Sequence, residues 1–261
     1  MCLWRGGSSS AHVRFFAEHK WRASIDGQHS TNNGFTWAEG ANYVDVDGFD
    51  VHGLVSNGGS SSGFELYSAG QGSTVSNCQA HDIGRQNTNT TNGLVGVFIA
   101  QNGVTVSGCY MHDIGRLNEP GSRDHGVYVN QGNNVVITGN YFDTFSTGWG
   151  VQLYPSAETG AVISNNTFIG GKPDTAYTHL ILGANLTTAI FTNNTFWSAN
   201  PSATLSDYEG LFTGVTFSNN TSTGSRWCDA SICTIAGTLP LGFTGTGNTL
   251  NSRMPEPPPP N

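Results

Sequence analysis

One short pattern recurs through most of the chain and constrains its fold more than any other feature. It reads Val75-Ser-Asn-Cys-Gln-Ala-His-Asp82, Val106-Ser-Gly-Cys-Tyr-Met-His-Asp113, Ile137-Thr-Gly-Asn-Tyr-Phe-Asp-Thr144, Ile163-Ser-Asn-Asn-Thr-Phe-Ile-Gly170, Phe191-Thr-Asn-Asn-Thr-Phe-Trp-Ser198 and Phe217-Ser-Asn-Asn-Thr-Ser222. A weaker copy is Val46-Asp-Gly-Phe-Asp-Val-His52. Aligned, the copies put Cys78, Cys109, Asn140, Asn166, Asn194 and Asn220 in one column, at spacings of 26 to 31 residues, and Asn248 extends it. Before most copies stands a second piece of alternating pattern: Phe64-Glu-Leu-Tyr67, Val97-Phe-Ile-Ala100, Val127-Tyr-Val-Asn130, Val151-Gln-Leu-Tyr154 and Leu180-Ile-Leu-Gly183. A period of two marks short strands, and a repeat of this length with two or three of them is one coil of a solenoid. Stacked coils repeat every ~4.8 Å, so the Asn column can hydrogen-bond amide to amide along the axis.

Composition agrees. Gly accounts for 35 and Asn for 25 of the 261 residues, and only 11% are charged, which excludes a helical bundle. A propeller blade needs ~40–50 residues, and a leucine-rich repeat needs a pattern this chain lacks. The expected fold is all-β: a right-handed parallel β-helix over residues 1–253, followed by a Pro-rich linker or tail at 254–261. The start of the chain has no apolar signal-peptide core and reads as a trimmed or incomplete gene. Cys228 and Cys233 are close enough to close a small loop, and the lack of a Cys-x-x-Cys pair counts against a structural zinc.

From these repeats the chain resembles the pectate-lyase-like superfamily of right-handed parallel β-helices over roughly residues 12 to 250. Val13-Arg-Phe-Phe-Ala-Glu18 followed by Ala23-Ser-Ile-Asp-Gly27 looks like the first coil of many carbohydrate-active members. The resemblance implies an extracellular, secreted protein acting on a polysaccharide, by lyase, hydrolase or epimerase chemistry. It is specific for fold and weak for activity. The Trp-Ile-Asp-His pattern of pectate lyases and the Asn-Thr-Asp, Asp-Asp and Gly-His-Gly motifs of polygalacturonases are missing.

Strand parity sends Glu65, Tyr67, Phe98, Tyr128, Asn130, Gln152, Tyr154, His179 and Ile181 outward on the first sheet, where the aromatic rings suit stacking against sugars. Long insertions bring Arg116, Glu119, Arg123, Asp124, His125, Lys172, Asp174 and Tyr177 toward that face, and loops on a rigid scaffold commonly carry catalysis. Arg123-Asp-His-Gly-Val-Tyr128 is the densest titratable cluster. β-Elimination needs a cation for the uronate carboxylate, a base for the C5 proton and an acid for the leaving oxygen. Arg116 or Arg123, His125 and Tyr128 are the respective candidates, with Asp124 and Tyr128 facing out. The orientation of His125 is left open: outward it is a base, inward a packing residue.

Tyr67, Phe98, Tyr154, Gln152, His179 and Lys172 are the expected substrate contacts. Hydrolysis would instead pair carboxylates ~5–9 Å apart, Asp124 with Asp143 or Glu119. A non-catalytic carbohydrate-binding or surface module is the remaining alternative. A second outward column of His52, His81, His112 and Asp143 sits among duplicated His-Asp-Ile-Gly-Arg motifs. No cofactor is assigned, but His81, His112 and Asp143 are candidates for a divalent cation such as Ca2+. A net charge of -8 with scattered basic residues argues against nucleic acid, and no apolar stretch is long enough for a membrane span. The chain reads as a monomer, joined to further domains through the Pro-rich segment.

Overall fold

The computed structural model describes residues 1–56, 59–87, 93–117, 123–143, 148–170, 179–199, 203–207, 210–230, 232–233, 235 and 237–261. Among them there is no α-helix, and every pairing between named strands is parallel. Nine strands, from Cys2–Leu3 through Asn33–Trp37, Ser61–Leu66, Leu94–Ile99, His125–Val129, Val151–Leu153 and Leu180–Leu182 to Arg226–Cys228, stack as a first sheet. A second sheet of nine begins at Val13–Phe16, and a third of eight begins at Ser24–Asp26. Each coil visits the three sheets in turn. A small sheet of Glu158–Thr159, Leu186–Thr187 and Phe212–Thr213 forms at one corner in three of the later coils. No helix is long and apolar enough to cross a membrane among the described residues.

The interior is built from side-chain columns. Phe35, Phe64, Val97, Val127, Val151, Leu180 and Leu205 follow one another in register on the first sheet, all essentially inaccessible. On the third, Phe142, Phe168 and Phe196 stack with centroids 4.8 and 5.0 Å apart. The asparagine column stacks as expected. Nδ2 of Asn140, Asn166 and Asn194 each donates to Oδ1 of the next member at 3.0 Å, and Asn220 donates to Asn248 at 3.2 Å. Each Oδ1 also accepts the backbone N–H of the preceding member, so these buried amides are satisfied, as burial requires. Cys78 and Cys109 continue the column in adjacent coils, and the amide of Cys109 donates to Asn140 Oδ1.

Cys228 and Cys233 are joined in a disulfide with Cα atoms 5.6 Å apart. The Pro-rich tail has no regular structure but touches the solenoid, where the Tyr141 phenol donates to the Pro257 carbonyl at 2.5 Å.

Candidate functional site

The outer face of the first sheet carries two columns in register. One runs Thr36, Glu65, Phe98, Tyr128, Gln152, Ile181 and Ser206. The other, two residues on, includes Tyr67, Asn130 and Tyr154. Aromatic rings form a connected row: Tyr67 meets Phe98 edge-on at 5.9 Å, Phe98 meets Tyr128 at 5.3 Å, and Tyr128 meets His125 at 5.6 Å. Tyr67 is 60% and Tyr154 39% exposed, with Phe98 and Tyr128 half-buried between them. Asn130 Nδ2 donates to the Tyr128 hydroxyl at 3.4 Å. Burial holds the Tyr128 phenol above its ordinary range, while the Asn130 donor and the nearby Arg123 charge pull it down. Arg123 itself is exposed.

The loop and strand-start residues sit differently from the expectation drawn from parity. Asp124 is fully buried instead of facing out. Its carboxylate accepts the amide of Leu94 from the preceding coil, the amide of Arg116, and the Arg116 guanidinium through Nε at 3.0 Å and Nη2 at 2.5 Å. Arg116 is buried with it. A buried carboxylate requires such saturation, and the pair ties a loop to two coils.

His125 stays on the outer side of the sheet, beside Tyr128, but is covered there. It is 1% exposed, stacked on Trp149 at 5.5 Å, with Nδ1 accepting the Trp149 amide at 3.3 Å. Burial lowers its pKa to about 3, against the opposing pull of Asp124 and Gln152, so the ring is neutral near pH 7. The register explains its burial, because the column Ser62, Val95, His125 and Trp149 is covered throughout.

Gln152 and Ile181 keep outward parity but are buried, so parity alone overstated the accessible face. His179 departs further. It occupies the position that Gly150 holds one coil earlier, and its ring turns over Gly170 against Phe168 and Phe196, with Nε2 bonded to the Trp197 carbonyl at 2.9 Å. Burial lowers its pKa to about 4. Lys172, Glu119, Asp174 and Tyr177 lie outside the described residues.

Sequence reading missed the column that positions this face. Gly34, Gly63, Gly96, Gly126 and Gly150 fall in register at the strand starts, and a Cβ on each of the first four would sit 2.5–2.7 Å from the next coil's carbonyl oxygen. The recurring Gly-apolar-x-apolar tetrapeptide was its signal: Gly34-Phe-Thr-Trp37, Gly63-Phe-Glu-Leu66, Gly126-Val-Tyr-Val129 and Gly150-Val-Gln-Leu153.

On the third sheet, His52, His81 and His112 stack at 4.9 and 4.8 Å, and Asp143 follows in register. The expected trio of His81, His112 and Asp143 is not the group whose ligand atoms converge. Among the described residues that group is Asp50, His52 and His81, one coil earlier.

The family described as the right handed beta helix region matches residues 28–226, and the chain belongs to it. A search of curated proteins finds no match. Among solved structures, the A-module of the mannuronan C-5 epimerase of Azotobacter vinelandii is similar at 14% identity and TM-score 0.54, over 93% of this chain and 77% of that one. An alginate lyase from Paenibacillus sp. str. FPU-7 is similar at 16% identity and TM-score 0.52, over 96% and 91%. The tailspike of E. coli bacteriophage HK620, in complex with a pentasaccharide, is similar at 13% identity and TM-score 0.50, and the match spans about half its length. At these identities the likeness is one of fold.

Proposed function

We propose that the protein is an extracellular, polysaccharide-active β-helix that cleaves a uronate-containing chain by β-elimination on the outer face of its first sheet. The observation that carries the reading is the connected row of Tyr67, Phe98 and Tyr128, with Tyr154 exposed one coil further on and an exposed Arg123 whose charge lowers the Tyr128 phenol. Aromatic rings stack on sugars while the polar groups beside them orient the chain. Two of the solved structures similar in fold bear the names mannuronan C-5 epimerase and alginate lyase, which is consistent with this class.

Within the two outward columns the described residues include one carboxylate, Glu65, two coils from Tyr128, and Asp124 is spent on Arg116. That favours elimination over the paired-carboxylate hydrolysis that Asp124 with Asp143 or Glu119 would require.

Tyr128 then does the proton work. Its phenolate, disfavoured by burial but supported in part by Asn130 and Arg123, takes the C5 proton, and the phenol so formed protonates the departing oxygen. Arg123 neutralises the uronate carboxylate. His125 acts as a positioning residue: with Nδ1 accepting from Trp149, its remaining proton resides on Nε2, toward Gln152.

The experiment is a panel of uronate-containing and neutral polymers, followed by ultraviolet absorbance of unsaturated ends and, separately, by new reducing ends. Both signals are expected, rising with pH because burial keeps the phenol protonated near neutrality. Tyr128→Phe is expected to lower the rate at least ~100-fold at unchanged thermal midpoint. Reducing ends without unsaturation would replace the lyase by a hydrolase. Binding without either signal would make this face a carbohydrate-binding module.

A further inference from the structure

We infer that Asp50, His52 and His81 form a binding site for a divalent transition metal of the Zn2+ class, on the third sheet and independent of the first-sheet face. The three side chains come from two successive coils, and their ligand atoms all lie within 4.8 Å of one another. The Asp50 carboxylate lies between the rings, with Oδ2 3.1 Å from His52 Nδ1 and Oδ1 3.1 Å from His81 Nε2. Tetrahedral ligands held ~2.0–2.2 Å from a zinc ion are separated by similar distances.

Two of these atoms carry the argument. Asp50 Oδ1 and His52 Nδ1 are shielded from solvent, and their 3.1 Å contacts with His81 Nε2 and Asp50 Oδ2 lack hydrogen-bond alignment. Buried polar atoms are rarely left so, and a cation between them would satisfy both. The other nitrogen of His52, Nε2, faces Asp26 Oδ1 at 3.8 Å. A carboxylate behind a metal-bound imidazole is the usual outer partner that fixes its tautomer.

The neighbouring rung shows the contrast. His112 has Nε2 on the Gln79 amide at 2.7 Å and Nδ1 on Asp113 at 2.8 Å, so both its nitrogens are engaged within the protein. His52 and His81 are about a quarter exposed, which leaves room for water to complete the coordination. Two imidazoles and one carboxylate suit Zn2+, Co2+ or Ni2+, whereas Ca2+ takes six to eight oxygens. The ion would bridge two coils.

The test uses the full chain without a histidine tag, stripped with a chelator and titrated with ZnCl2 by calorimetry and equilibrium dialysis. One Zn2+ per chain is expected, with a rise of about 5 °C in thermal midpoint at saturating metal. Asp50→Asn and His81→Gln are each expected to weaken binding at least ~10-fold, Asp26→Asn by roughly 10-fold, and His112→Gln to leave it unchanged. X-ray absorption of the zinc-loaded wild type reads the ligands without any variant, and two imidazoles are expected. The proposal is overturned by absent saturable binding, by binding indifferent to Asp50→Asn and His81→Gln in folded protein, by fewer than two imidazoles on zinc, or by equal loss in His112→Gln.

Discussion

Glu158 shows at the level of one residue how the solenoid's interior controls titration. It is 1% exposed, both carboxyl oxygens lack hydrogen bonds, and burial pushes its pKa up to about 9. The acid is therefore neutral in the folded chain at pH 7 and ionised in the unfolded chain. Because the folded pKa exceeds the unfolded value of about 4.5, stability from this group is complete below pH ~4.5 and is lost as pH rises toward ~9. His125 and His179 give the opposite limb. Their folded values, about 3 and about 4, lie below the ordinary 6.5, so the unfolded chain takes up their protons first and stability falls as pH drops below ~6.5. Thermal midpoints of Glu158→Gln are expected to exceed wild type by several degrees at pH 8 and to match it at pH 4. Equal gains at both pH values would show that desolvation of the carboxylate is not the cause.

At the scale of the element, the strand starts of the first sheet depend on the glycine column. A Cβ on Gly126 would lie 2.6 Å from the Gly150 carbonyl oxygen and 2.6 Å from Phe142 Cδ1, with backbone on one side and a stacked ring on the other. Neither can withdraw cheaply. Gly126→Ala is expected to cost about 3 kcal/mol, a fall of roughly 6–12 °C in thermal midpoint, measured by circular dichroism. A variant with wild-type melting would mean that the coils can move apart locally.

The same elements show which parts of the architecture were legible in sequence. The Asn ladder and the inward apolar columns were readable because a parallel stack converts a repeat directly into neighbours. The positions before the ladder, Asn77, Gly108, Gly139, Asn165, Asn193, Asn219 and Gly247, explain the Asn-or-Gly alternation. All have φ between 51° and 72°, a left-handed turn that other side chains resist. Exposure was not readable. Parity fixes the direction a side chain leaves the strand, but what lies above Asp124, His125, Gln152 and Ile181 depends on contacts far along the chain. Nor could spacing alone tell that His112 would be engaged by Gln79 while His52 and His81 converge on Asp50.

The whole molecule is a stack whose first-sheet face runs along its axis, and this sets how a polymer would be held. Tyr67 and Tyr154 belong to coils three steps apart, about 14 Å at ~4.8 Å per coil, with Phe98 and Tyr128 in the coils between. Such a face binds by presenting successive rings to successive sugars, so affinity should grow with oligosaccharide length until the row is spanned and then level off. Because a parallel stack is rigid, little of that energy is spent on closing the protein around its ligand. Titration of Tyr128→Phe with uronate oligosaccharides of increasing length by calorimetry is expected to give this plateau. Tyr67→Ala and Tyr154→Ala should each lower the plateau affinity several-fold, by about 1 kcal/mol, while leaving the shortest ligands nearly unaffected if these stay on the central rings. Affinity independent of length, or equal losses for short and long ligands, would place the polymer across the solenoid instead of along it.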